Sequence, residues 1–203
     1  TSPEAEPRLR LVWADGSASQ LVMFANIAGA HDTAPDVTLA NGQTVTLTGS
    51  ATIQGNTSTM EQFRFGLFNE AAGPVDANGW LGYIANNSAG NSGGALRPKN
   101  AAYSGFFSQL FAATSASGSS VNLQTARDGG SFSPGTYDFS MSVTRAGNAV
   151  VIDAALTRGV QFEQLWQNVV TADPDLLTFD FNRVGFLSAN MSADLISFSN
   201  IEV

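Results

Sequence analysis

Between residues 43 and 53 the chain reads QTVTLTGSATI, in which Val45 and Leu47 alternate with threonines as a half-buried strand requires. The same period of two recurs in TYDFSMSVTR, where Tyr137, Phe139, Met141 and Val143 alternate with Asp138, Ser140, Ser142 and Thr144. Runs of this kind predict strands at 8–13, 19–27, 43–53, 62–69, 79–86, 120–125, 136–145, 149–157, 177–188 and 195–203. Asn41-Gly42 is a turn dipeptide ahead of the third run. Arg145-Ala146-Gly147-Asn148 reverses the chain so that 136–157 forms a hairpin.

Two stretches break the pattern. In QFEQLWQNV the apolar residues Phe162, Leu165, Trp166 and Val169 fall at helical spacing, so that a short helix and an edge strand both fit. Residues 104–113 are open in the same way. The Gly/Ser/Asn-rich segments 86–95 and 114–120 read as exposed loops, and Thr1 to Pro7 as a flexible lead. About ten to twelve short strands, with at most one or two short helices, imply an all-β chain. Because each sheet must bury one face, the expected architecture is a two-sheet antiparallel β-sandwich of jelly-roll type, a single domain over 1–203.

Composition narrows the partners. The formal charge is −8, and the nine basic residues include a single lysine, Lys99. Such a surface repels nucleic-acid phosphates and anionic membranes, leaving a neutral or locally arginine-neutralised ligand. There is no cysteine, which excludes disulfides and thiolate chemistry, and one histidine cannot furnish a usual zinc site. No apolar run approaches the roughly 20 residues that span a bilayer, so membrane insertion is not expected. A mature or excised piece of a secreted or cell-surface protein is the preferred setting, possession of a cytosolic one being the alternative.

Catalytic signatures are missing where they are easiest to see. His31 lies beside Asp32 in GAHDTAPD, a base-and-carboxylate pair in form, but with no second histidine or defined nucleophile motif to accompany it the preferred reading is a solvated loop histidine. No E-x-D run occurs, which leaves sandwich-glycosidase chemistry without support. Asp76-Ala77-Asn78-Gly79 offers oxygens suited to a structural calcium ion at Asp76 and Asn78, and Asp173-Pro174-Asp175 offers others, although both are also good turns.

The aromatic hairpin QFRFGLFNEAAGPVDANGWLGYIANN, residues 62–87, carries a different chemistry. Alternation puts Phe63, Phe65 and Leu67 on one face and Arg64 on the other, and separates Trp80, Gly82, Ile84 and Asn86 from Leu81, Tyr83 and Ala85. One of Trp80 and Tyr83 is therefore expected to face outward. An exposed ring beside Arg and Asn is what sugar recognition uses: the ring packs on C–H faces while planar polar groups bind vicinal hydroxyls. The expected ligand surface is Arg64, Trp80, Tyr83, Asn86 and Asn87.

The phrases FRFGLFN, GWLGYIA, YDFSMSVTRAG, TFDFNRVGF and ISFSNIEV, spread over residues 43–203, resemble the concanavalin A-like jelly-roll modules of secreted bacterial proteins. The resemblance implies a sandwich fold and an association with glycans, either as a lone module or as one appended to a larger glycan-active protein. Laminarinase-like hydrolases of that superfamily carry E-x-D-x-x-E, and many alginate lyases carry R-T-E-L-R with Q-I-H or Q-V-H. Neither pattern occurs in this chain, so no catalytic residue is carried over.

Three functions follow from these observations. The first is a non-catalytic extracellular polysaccharide-binding module. The second is a jelly-roll polysaccharide lyase on a uronate-containing glycan, drawing on Arg64, Arg97, Lys99, Tyr83, Tyr103 and His31. The third is a structural or adhesive surface module.

Overall fold

The computed structural model describes residues 10–12, 19–27, 36–55, 62–70, 80–88, 95–99, 121–125, 132–159, 161–170, 178–191 and 195–203, with side chains over part of these. The described residues form fourteen strands and no helix. A seven-stranded sheet has the order β1 (Arg10–Val12), β14 (Leu195–Glu202), β4 (Thr44–Gln54), β9 (Gly135–Ala146), β10 (Ala149–Arg158), β11 (Gln161–Val170) and β8 (Val121–Thr125). A five-stranded sheet has the order β2 (Ser19–Asn26), β13 (Arg183–Met191), β5 (Gln62–Asn69), β6 (Leu81–Ser88) and β7 (Ala95–Lys99). A short pair, β3 (Val37–Thr38) and β12 (Asp180–Phe181), accompanies them. The pairings in all three sheets are antiparallel.

Strand alternation builds the core. On β4, Val45, Leu47, Ala51 and Ile53 are buried while the intervening Thr44 and Thr46 are exposed; on β9, Tyr137, Phe139, Met141 and Val143 are buried. Phe65, Leu67, Tyr83, Ala85, Val184 and Phe186 face them from the five-stranded sheet and join the same hydrophobic cluster. Phe139 bridges the layers, its ring centroid 5.1 Å from that of Phe65 and 5.4 Å from that of Phe186. Each such buried ring contributes about 1.5–3 kcal/mol relative to exposure. The molecule is thus the expected two-sheet antiparallel sandwich, with β1 and the C-terminal β14 adjacent in one sheet.

Both predicted turns are in place. Gly147, at φ 65°, lets the chain reverse between β9 and β10, and Gly42, at φ 81°, does the same ahead of β4. The two turns dock on one another. Gly147 N donates to Asn41 Oδ1 (2.6 Å) and Gly42 N donates to the Arg145 carbonyl (2.9 Å). Arg145 completes this corner by donating from Nη1 to the Leu39 carbonyl (2.9 Å) while its guanidinium covers the Phe179 ring at 3.9 Å.

Three expectations need correction. Residues 161–170 are neither a helix nor an edge strand: β11 lies between β10 and β8. A register shift opposite Leu156 and Thr157 disturbs the period of two, so the helical spacing of Phe162, Leu165, Trp166 and Val169 arises within a bulged strand. The expected strand 177–188 is divided at Asn182 into β12 and β13. The segment 86–95, expected to be a loop, contributes its first residues to β6 and its last to β7. Residues 104–113 and 114–120 lie outside the described residues, as does the lead 1–7.

Candidate functional site

One end of the five-stranded sheet gathers polar groups that apolar strands would ordinarily exclude. β5 ends in Phe68-Asn69-Glu70, and β13 is entered through Phe181-Asn182-Arg183. Among the described residues Glu70, Thr178, Asn182 and Arg183 are the buried polar and charged ones. The Glu70 carboxylate pairs with the Arg183 guanidinium through Oε2 and Nη2, both side chains 3% exposed or less. Asn182 ties three segments at once. Its N donates to the Phe68 carbonyl (2.9 Å), its Oδ1 accepts from Glu70 N (2.8 Å), and its carbonyl accepts from Ile27 N (3.1 Å) and from Arg183 Nη1 (2.9 Å).

Thr178 joins the cluster from the other side of the sheet. The Tyr83 hydroxyl donates to the Thr178 carbonyl (2.7 Å) and accepts from Thr178 N (2.9 Å). Burial pushes the phenol well above its ordinary value of 10.0, with the backbone hydrogen bond opposing only in part. These contacts make the cluster a structural latch on segment 178–183. A buried, paired carboxylate and a neutral phenol offer no reagent to a substrate in water.

The expectation that Trp80 or Tyr83 faces outward is therefore corrected. Tyr83 is 0% exposed in the inter-sheet core, and Trp80 is 2% exposed. Trp80 packs against Phe68 with ring centroids 6.3 Å apart, and neither ring belongs to the inter-sheet cluster. The sheet face away from the core is thus covered from Trp80 and Phe68 as far as Ile84, which is also fully buried and outside the inter-sheet cluster. The glycines of β5 and β6 explain how: a Cβ on Gly82 would meet the Leu67 carbonyl and approach Phe68 Cα at 2.9 Å, and one on Gly66 would come within 2.9 Å of the Phe68 ring. Their absent side chains let that ring lie against the sheet.

Register assigns the remaining candidates. Arg64 pairs with Leu187 on one side and Asn86 on the other, and Asn86 pairs in turn with Ala95. The next rows join Gly66, Ile84 and Arg97, then Phe68, Gly82 and Lys99. Arg64 is half-buried rather than enclosed. Asn87 is in the row of Phe63, one residue out of phase with Arg64, so the expected set does not share one face. Asp76 and Asn78 lie outside the described residues, as do His31 and Tyr103. Among the described residues no group of three or more His, Cys, Asp or Glu side chains is placed to hold a metal ion.

What brought Glu70 and Arg183 together was not visible as a motif, although the repeated Phe-Asn-charge triplet at two strand ends is a signal: a charged residue abutting an apolar run needs a partner once buried.

No protein-family profile matches the chain, and no curated protein matches it. Among solved structures it is similar to lectin UEA-II complexed with galactose (8% identity, 97% of this chain and 87% of that chain, TM-score 0.43). It is also similar to the CBM2 module of the evolved Dit of Lactobacillus casei BL23 phage J-1 (14% identity, 98% and 81%, TM-score 0.38). A third is the exoplasmic/lumenal domain of VIP36 in its Ca2+/Man-bound form (8% identity, 90% and 84%, TM-score 0.39). At these distances no residue or ligand is carried across, and the functional reading rests on the residues of this chain.

Proposed function

We propose that this chain is a non-catalytic carbohydrate-binding module of an extracellular protein, holding its glycan on the five-stranded sheet face away from the core, around Arg64 and Asn86. The observation that carries the reading is the direct cross-strand pairing of Arg64 with Asn86 on the face opposite the Phe65–Leu67–Tyr83 core, with Arg64 half-buried. A guanidinium and a carboxamide are planar hydrogen-bonding groups of the kind that bind neighbouring sugar hydroxyls. The burial of the Tyr83 phenol withdraws one member of the lyase pool and supports the non-catalytic reading.

The test is a glycan array followed by affinity electrophoresis on the polysaccharides retained. Wild-type protein is retarded by at least one polysaccharide, and Arg64→Ala with Asn86→Ala abolishes the retardation while leaving the melting temperature within a few degrees of wild type. Retention by none of the glycans contradicts the reading. A structural calcium ion at Asp76 and Asn78 belongs to the same proposal: chelation by EDTA lowers the melting temperature of wild type and leaves Asp76→Ala unchanged. Equal melting with and without EDTA removes the ion.

A further inference from the structure

Hydrogen bonds cross from one sheet to the other at the short pair β3–β12. β3 runs through the turn at Gly42 into β4 of the seven-stranded sheet, and β12 runs through Asn182 into β13 of the five-stranded sheet. Between them Leu39 N donates to the Phe179 carbonyl (2.8 Å) and Thr38 Oγ1 donates to Asp180 Oδ1 (2.7 Å). From the seven-stranded sheet Arg145 Nη1 reaches over to the Leu39 carbonyl (2.9 Å). The two sides of this junction are held unequally. On the β12 side Thr178, Phe181, Asn182 and Arg183 are all buried, Tyr83 bonds Thr178 twice, and Arg183 is paired with Glu70. On the β3 side Leu39 alone is buried among residues 36–40, with Asp36, Thr38 and Ala40 exposed and Val37 half-buried.

We infer that residues 36–39 form an inter-sheet clasp that parts from β12 on its own while the sandwich stays folded, and that Arg145 holds it shut. Parting β3 from β12 returns one leucine and a few solvent-facing hydrogen bonds to water, whereas parting β12 from the five-stranded sheet would strand a buried ion pair and a buried phenol. The weaker side opens first. Arg145 keeps its guanidinium over the Phe179 ring and so stays with β12, which makes its bond to the Leu39 carbonyl the one that opening breaks and closing remakes. In the open state the 179–181 edge has lost its partner strand and is available to an added one.

The experiment is native-state hydrogen exchange followed by NMR on the whole chain. Three amides are compared after correction for intrinsic rates: Leu39, bonded to the Phe179 carbonyl; Asn182, bonded to the Phe68 carbonyl; and Met141 in the middle of β9. In wild type the Leu39 amide exchanges about tenfold or more faster than the other two. Tyr83→Phe weakens the β12 side, which stays in place when the clasp opens, so it quickens Asn182 and Met141 and leaves Leu39 unchanged. Arg145→Gln quickens Leu39 several-fold by removing a bond made only in the closed clasp. Thr38 and Asp180 are register partners in a chain without cysteine, so the double variant Thr38→Cys, Asp180→Cys forms a single disulfide that locks the clasp. Its oxidation slows the Leu39 amide to the rate of Asn182, and reduction restores the faster exchange. One common rate for the three amides in wild type overturns the clasp, as does a Leu39 amide that follows Met141 in Tyr83→Phe or stays fast in the oxidised double variant. Circular dichroism verifies each fold, and where Arg145→Gln is unfolded the wild type, Tyr83→Phe and the cysteine pair decide the outcome.

Discussion

Tyr83 shows how a residue with the right chemistry acquires a different role from its surroundings. Its hydroxyl is satisfied twice by Thr178, so Tyr83→Phe orphans a backbone N–H and carbonyl and is expected to cost about 1–3 kcal/mol in urea unfolding. The raised pKa adds a pH signature. Unfolded protein releases the phenolic proton near pH 10.0 while folded protein retains it, so stability conferred by the neutral phenol is complete below pH 10 and declines as pH rises toward the higher folded value. The slope approaches about 1.4 kcal/mol per pH unit for one proton. Melting temperatures measured from pH 8 to pH 11 should therefore fall less steeply for Tyr83→Phe than for wild type. The Glu70–Arg183 pair gives a second expectation of the same kind. Arg183→Met strands a buried carboxylate and should cost about 3–5 kcal/mol, and adding Glu70→Leu should return part of that loss in a double-mutant cycle.

The strands explain what could be read in advance. β4 and β9 have clean alternation because one side meets the core and the other meets solvent, and the two turns, at Gly42 ahead of β4 and at Gly147 in the β9–β10 hairpin, each hold Gly at positive φ. β5 and β6 are covered on both faces near Phe68 and Trp80, so their aromatic residues carried no mark of which face was open. Phase alone could therefore place Trp80 with Arg64 and still mispredict its exposure. The β11 bulge hid a strand behind helical spacing, and the Glu70–Arg183 pair joins positions more than a hundred residues apart, a separation that no local pattern spans. Gly82→Ala tests the account of this region. Its new Cβ meets main-chain atoms of Leu67 and Phe68, which cannot swing aside, so it should destabilise by about 1–3 kcal/mol in a denaturant titration.

On the proposed function, the sandwich as a whole separates stability from recognition. The inter-sheet cluster and the latch on segment 178–183 hold the layers, while Arg64 lies on the face away from that core. Losses from Trp80→Ala should accordingly appear as about 3–5 kcal/mol of stability, because Trp80 is a packed ring rather than an open platform. Losses from Arg64→Ala and Asn86→Ala should appear in binding, with stability little changed. The most direct measurement is a calorimetric titration of wild type and of the Arg64→Ala, Asn86→Ala double variant with a polysaccharide retained on the array. The proposed function predicts affinity reduced about tenfold or more at an unchanged melting temperature. Unaltered affinity in the folded double variant would contradict it.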